Sequence, residues 1–213
     1  MKRLAKAEFE AWAGSYDRSL LNHFLFRPSY LKFLEELHRW RGEDDSPFDL
    51  LDIGCGTGTF GAMLTATALP ARVVGLDYAE AMCHVAEEKA RGTGLGDRPR
   101  FVNADSEKLP FADESFDVVT CSNSFHHYPD QAAVVREFRR VLRPGGRLML
   151  IDGFRDNVIG WFVFDVVITT VEKDVFHAPW GVIDEYFRGA GFRDISRAKF
   201  NLLFPLLLTV GTK

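Results

Sequence analysis

The chain has 213 residues, 46% of them hydrophobic and 26% charged, enough to bury one sizeable core. A formal net charge of −4 gives no general attraction to a phosphate backbone, so DNA is not expected as a partner and RNA is disfavoured. Cys55, Cys83 and Cys121 show neither a disulfide framework nor zinc spacing, so no metal site is expected and a reducing cytoplasm fits best.

The N-terminus, "MKRLAKAEFEAW", has basic residues without an apolar stretch behind them and does not read as a secretory signal. Apolar residues at Leu4, Phe9, Trp12 and Ala13, then from Tyr30 to Leu37, recur at helical spacing, and Pro28 stands where a helix would begin. These predict an N-terminal helical cap over residues 1–47, ending in the linker-like "RGEDDSP".

From Phe48 onward, short apolar runs alternate with helical stretches. Strands are expected at Asp49 to Ile53, Arg72 to Leu76, Arg100 to Asn103, Asp117 to Cys121 and Arg147 to Ile151. Helices are expected near Phe60 to Ala68, Ala79 to Arg91 and Gln131 to Leu142. Such alternation predicts a doubly wound α/β fold with a mostly parallel sheet covered on both faces, its core over residues 48–152.

Residues 153–213 complete the single domain. Val158 to Val171 is strongly apolar but shorter than a bilayer span, with Asp165 in its middle. A helix near Val182 to Gly189 follows, then two β-like runs, Phe192 to Phe200 and Leu202 to Val210, able to pair antiparallel at the sheet edge. The last of these, "FNLLFPLLLTV", leaves peripheral membrane contact open, although alternating strand burial explains it more simply.

Chemistry concentrates in "LDIGCGTGTF", where Gly54, Gly56 and Gly58 follow the first strand directly. In an open parallel sheet, a glycine loop there sits at the mouth of the ligand crevice. Asp77 closes the next strand, nineteen positions beyond Gly58, where a carboxylate can accept from both hydroxyls of a ribose. A dinucleotide fingerprint reads GxGxxG; here the third glycine comes one residue early and Thr59 takes its place, which argues against NAD.

"LDIGCGTG", "GLD", "NADSEKLPFADESFDVVTCSNSFHH" and "VLRPGGRLMLID", in that order, resemble the signature of class I S-adenosylmethionine-dependent methyltransferases of the small-molecule type. The resemblance covers about Leu50 to Asp152 and implies a Rossmann-like sheet of seven strands with an antiparallel C-terminal edge hairpin. It also implies S-adenosyl-L-methionine as cofactor and a small, apolar or aromatic methyl acceptor. By the same resemblance, Gly54, Cys55, Gly56 and Gly58 line the methionine end of the cofactor and Asp77 takes the ribose hydroxyls. Tyr78 would pack on the adenine, Ala104, Asp105 and Ser106 would face it, and Asn123 would face the methionine portion. Asp52 either joins this site or binds loop N–H groups, and Asp105 has a second reading as a helix cap.

His126 and His127, at the mouth of the fourth strand, are candidate general bases, with Tyr16 and His23 as further polar candidates. Adjacent histidines can equally form a strand-to-helix turn, since two neighbours cannot both face the pocket. Phe9, Trp12 and Tyr16 are expected to form a lid, with Trp161, Phe162, Phe164, Phe176 and Trp180 walling the other side or joining the core. Three alternatives stand beside this reading. They are an RNA (tRNA) methyltransferase using Arg136, Arg139, Arg140, Arg143 and Arg147, a cofactor-binding protein without turnover, and an NAD-dependent oxidoreductase.

Overall fold

A computed structural model describes residues 9–11, 13, 26–92, 99–168, 175–201 and 204–213. Helix α1 (Arg27–Arg41) has Pro28 in its first turn and buries Phe33 and Leu37, each worth about 1.5–3 kcal/mol. The α/β alternation follows: β1 (Phe48–Ile53), α2 (Thr59–Thr65), β2 (Ala71–Asp77), α3 (Glu80–Gly92) and β3 (Arg100–Asn103). The second half runs β4 (Phe116–Ser122), a 3-10 turn (Phe125–His127), α4 (Gln131–Val141) and β5 (Leu142–Gly153). After β5 come a helical turn (Val158–Gly160), a π-helix (Trp161–Ile168), α5 (Trp180–Ala190), β6 (Arg193–Phe200) and β7 (Leu206–Thr212).

The strands form one seven-stranded sheet ordered β3-β2-β1-β4-β5-β7-β6. Parallel pairing links β1 through β5, whereas β7 lies antiparallel between β5 and β6. This is the expected doubly wound architecture with its antiparallel C-terminal strands. Pleating sends Leu51, Ile53, Val119, Cys121, Leu148 and Leu150 into one core with Val134, Phe138 and Phe187 from α4 and α5. Leu50, Val73, Val118, Met149 and Ile151 enter the other with Phe33, Leu37, Phe60 and Leu64 from α1 and α2.

One expectation changes and two secondary readings lose support. β5 begins at Leu142, five positions before Arg147, because Leu142 pairs with Phe116 ahead of a register shift that absorbs Pro144, Gly145 and Gly146. The apolar C-terminal run offers no membrane contact over Leu206, Leu207, Leu208 and Val210, since β7 is an interior strand and these side chains are buried; Leu202 and Leu203 lie outside the described residues. Among the basic residues proposed for RNA, Arg140 is held by Glu137 and Asp113 and Arg143 by Asp49 and Asp117, at the opposite end of the sheet from the β-strand C-termini. No helix among the described residues is long and apolar enough to cross a membrane.

Candidate active site

The strand order reverses between β1 and β4, and a crevice of about 900 Å3, its open mouth included, lies at the C-terminal ends of these strands. The loop after β1 runs through three left-handed glycines, with φ of 67° at Gly54, 51° at Gly56 and 71° at Gly58. At Gly54 a Cβ would come within 2.3 Å of the Ser124 hydroxyl, so the loop can lie against the end of β4 only without a side chain there. The main-chain N–H groups of Gly54 and Cys55 both donate to the Leu76 carbonyl, at 2.8 and 3.1 Å, tying the loop to β2.

Asp77 ends β2 at the crevice wall. One carboxylate oxygen accepts from the Gly56 N–H at 2.9 Å and the other from the Ala79 N–H at 2.9 Å. Burial pushes its carboxyl up and these backbone donors pull it back. Each oxygen keeps acceptor capacity for a hydroxyl, as a ribose diol requires.

Gly54, Cys55, Gly56, Asp77, Tyr78, Ala104, Asp105, Ser106 and Asn123 all line this crevice. Asp105 also accepts from the Glu107 N–H at 3.0 Å, closing a turn; no helix follows it directly among the described residues, so the helix-cap reading does not hold. Asn123 adopts a left-handed φ of 51°, and its amide donates to the hydroxyls of Ser29 and Ser122, at 3.0 and 2.8 Å, joining β4 to α1.

Gly58 and Asp52 do not line the crevice. Gly58 precedes α2, where a Cβ would press on Phe101 and Ala86 at 2.7 and 2.9 Å; its smallness serves packing. Asp52 is buried on β1, and the Thr120 hydroxyl donates to it at 2.8 Å. Burial, opposed by Thr120 and reinforced by Asp77, pushes its carboxyl up to about 7. Cys55 lines the wall as an inert thiol, because Cys83 beside it and burial raise its pKa well above the usual value.

The histidine pair divides. His127 lines the crevice, its ring edge-on to Phe9 at 5.2 Å between centroids. His126 is buried and turned away, its Nδ1 2.6 Å from Asp152 Oδ1. Tyr16, Trp12 and His23 lie outside the described residues.

The N-terminal segment does reach the site: Phe9 lines it, and the Glu10 carboxylate accepts from the N–H groups of Glu80 and Ala81 at 2.8 and 2.9 Å, capping α3. The proposed aromatic wall does not line the crevice. Phe164 is core, and Trp161, Phe162, Phe176 and Trp180 are exposed.

Sequence reasoning missed Ser122, Ser124 and Tyr128, which line the crevice at and just after the end of β4. Their place at the end of a strand at the reversal point was a usable signal. The Tyr128 hydroxyl lies 3.1 Å from Ser124 Oγ, and burial raises its pKa, so it stays protonated. Phe26, Tyr30 and Met82 complete an apolar side.

No Lys or Arg lines the crevice among the described residues, while Asp77 and Asp105 do. A pyrophosphate would meet carboxylates there and no cation. A nucleoside with a sulfonium and an ammonium, and no phosphate, suits the residues present.

Known proteins agree. The methyltransferase domain family matches residues 51–150. The 27-O-demethylrifamycin SV methyltransferase of Amycolatopsis mediterranei is 47% identical over 103 residues, 48% of this chain and 38% of its own. The demethylmenaquinone methyltransferase of Listeria welshimeri is 34% identical over 154 residues, 72% of this chain and 64% of its own. This chain thus spans less than two thirds of the length of either relative. A SAM-dependent methyltransferase structure from Aquifex aeolicus shares the fold with a TM-score of 0.67 at 19% identity, covering 95% of this chain and 97% of that one. The [4+2]-cyclase SpnF shares it at 0.70 and 19%, covering 84% and 80%. The glycine loop after β1 and the carboxylate that ends β2 both fall within residues 51–150, the part of the chain that matches the methyltransferase domain family and carries the resemblance to class I S-adenosylmethionine-dependent methyltransferases.

Proposed function

We propose that the protein transfers a methyl group from S-adenosylmethionine to a small, apolar or aromatic acceptor by in-line displacement. The observation that carries this reading is the Asp77 carboxylate, aimed into a crevice that no Lys or Arg lines among the described residues. When bound, the cofactor supplies an electrophilic methyl carbon on a sulfonium leaving group. Asp77 accepts from the ribose hydroxyls, the Gly54–Gly56 backbone meets the methionine end, and Tyr78, Ala104, Asp105 and Ser106 surround the adenine.

Phe9, Phe26 and Tyr30 exclude water and favour an apolar acceptor. His127, the histidine that lines the crevice, receives the acceptor's proton. That role suits a hydroxyl or an acidic carbon, in keeping with relatives named for demethylrifamycin and demethylmenaquinone. Three buried cysteines without disulfides support a cytoplasmic setting. Exposed Val158, Ile159, Trp161 and Phe162 support peripheral membrane contact, which liposome flotation tests.

The deciding experiment is binding followed by turnover. S-adenosylmethionine and S-adenosylhomocysteine should raise the melting temperature while NAD and NADP do not. Labelled methyl should then reach a phenolic or hydroxylated apolar acceptor. Tight binding with no transfer across a broad acceptor panel would instead favour a binding protein without turnover.

A further inference from the structure

His126, Asp152 and His177 form a second cluster that methyl transfer does not use. It lies beyond the crevice wall, built from the 3-10 turn after β4, the end of β5 and the segment before α5. Each residue offers one donor atom, and the three donors lie within 4.8 Å of one another. The His126 and His177 rings have centroids 4.7 Å apart, inclined by 36°.

The surroundings hold these groups in place. Asp152 accepts the His126 main-chain N–H at 2.9 Å and that of Gly153 at 2.8 Å. Phe176 N–H donates to the His126 carbonyl at 2.6 Å, and Arg155 donates to the His177 carbonyl at 2.8 Å. Backbone bonds therefore fix the elements on either side of each donor, the support that metal sites need from their surroundings.

We propose that His126, Asp152 and His177 bind one divalent transition-metal ion of the zinc type. Two imidazoles on one such ion, with metal–nitrogen bonds of about 2.0–2.1 Å, place their ring centres roughly 4.5–5.2 Å apart at tetrahedral or octahedral angles. The observed ring spacing falls within that interval. A two-histidine, one-carboxylate set is a donor group that first-row divalent ions accept, with positions left for water. The simpler arrangement is an imidazolium paired with the carboxylate, with His177 acting on Asp152 through space, and metal uptake distinguishes the two. On binding, the ion sheds water, and the proton shared by His126 Nδ1 and Asp152 Oδ1 passes to solvent as the 2.6 Å contact opens.

Equilibrium dialysis with Co2+ and Zn2+, with visible absorption for Co2+, tests the site in the whole chain. One equivalent should bind, and the Co2+ form should show ligand-field bands. Both His177→Gln and Asp152→Asn should weaken uptake at least tenfold, whereas His84→Gln, on the exposed face of α3, should not. Less than one equivalent bound, or uptake undiminished in His177→Gln, overturns the proposal. S-adenosylhomocysteine binding, followed in the same samples, verifies the fold of each variant and tests the methyltransferase reading separately.

Discussion

The Asp77 carboxylate accepts the Gly56 N–H at 2.9 Å, so the residue that ends β2 also anchors the glycine loop that follows β1. One side chain thereby couples the two halves of the nucleoside site. Asp77→Ala should raise the Kd for S-adenosylhomocysteine roughly 10- to 100-fold, the worth of a charge-assisted hydrogen bond, as read by calorimetry. A 2′-deoxy analogue separates loop anchoring from ribose recognition. If Asp77 takes the hydroxyl, the two losses will not add, and full additivity would reject that contact.

Gly54 tolerates no side chain. Its φ of 67° and the approach of Ser124 together predict that Gly54→Ala costs roughly 2–4 kcal/mol in chemical denaturation and weakens cofactor binding. Ser124→Gly, combined with it, should recover the steric part and leave the backbone part. No recovery in the double variant would show that the collision is not the cause.

Asp52 makes stability depend on pH in an unusual sense. Its folded pKa, about 7, lies above the value near 3.9 of an unfolded chain, so native protein keeps a proton that unfolded protein loses. The stabilisation is complete below pH 4, declines as pH rises towards 7 and is gone above it. Its full extent is roughly 4 kcal/mol. Glu137, held low chiefly by Arg140, acts oppositely and loses its contribution as pH falls. Subtracting the Asp52→Asn denaturation profile from the wild-type one isolates the Asp52 part, and a flat difference between pH 4 and 7 would refute it.

The parts of this molecule legible beforehand are those whose physics is local. The expected Arg100 to Asn103 strand matches β3 at both ends, and the other parallel strands were placed from apolar runs alone. Gly54 and Asp77 were readable because a turn of positive φ and a strand-terminal carboxylate advertise themselves by residue type. The early start of β5 was not, since pairing across a register shift leaves no periodicity. Nor were the Glu10 cap on α3 or the meeting of His126, Asp152 and His177, which join residues far apart in the chain. The aromatic segment misled for a related reason: composition shows that Trp161 and Phe162 are apolar, not which neighbours they lack.

His127 and His126 are adjacent in sequence and face different surroundings, which lets substitution distinguish them. His127 borders the crevice beside Phe9. Replacing it by Asn should lower kcat by about 10²- to 10⁴-fold for an acceptor that must lose a proton, the usual contribution of a general base. Cofactor affinity should stay within about a factor of two, because His127 has no part in holding the nucleoside. An acceptor supplied already ionised should escape most of the loss. Were His127→Asn to slow ionised and neutral acceptors alike, the residue would be shaping the pocket, and the proton would have to leave by another route.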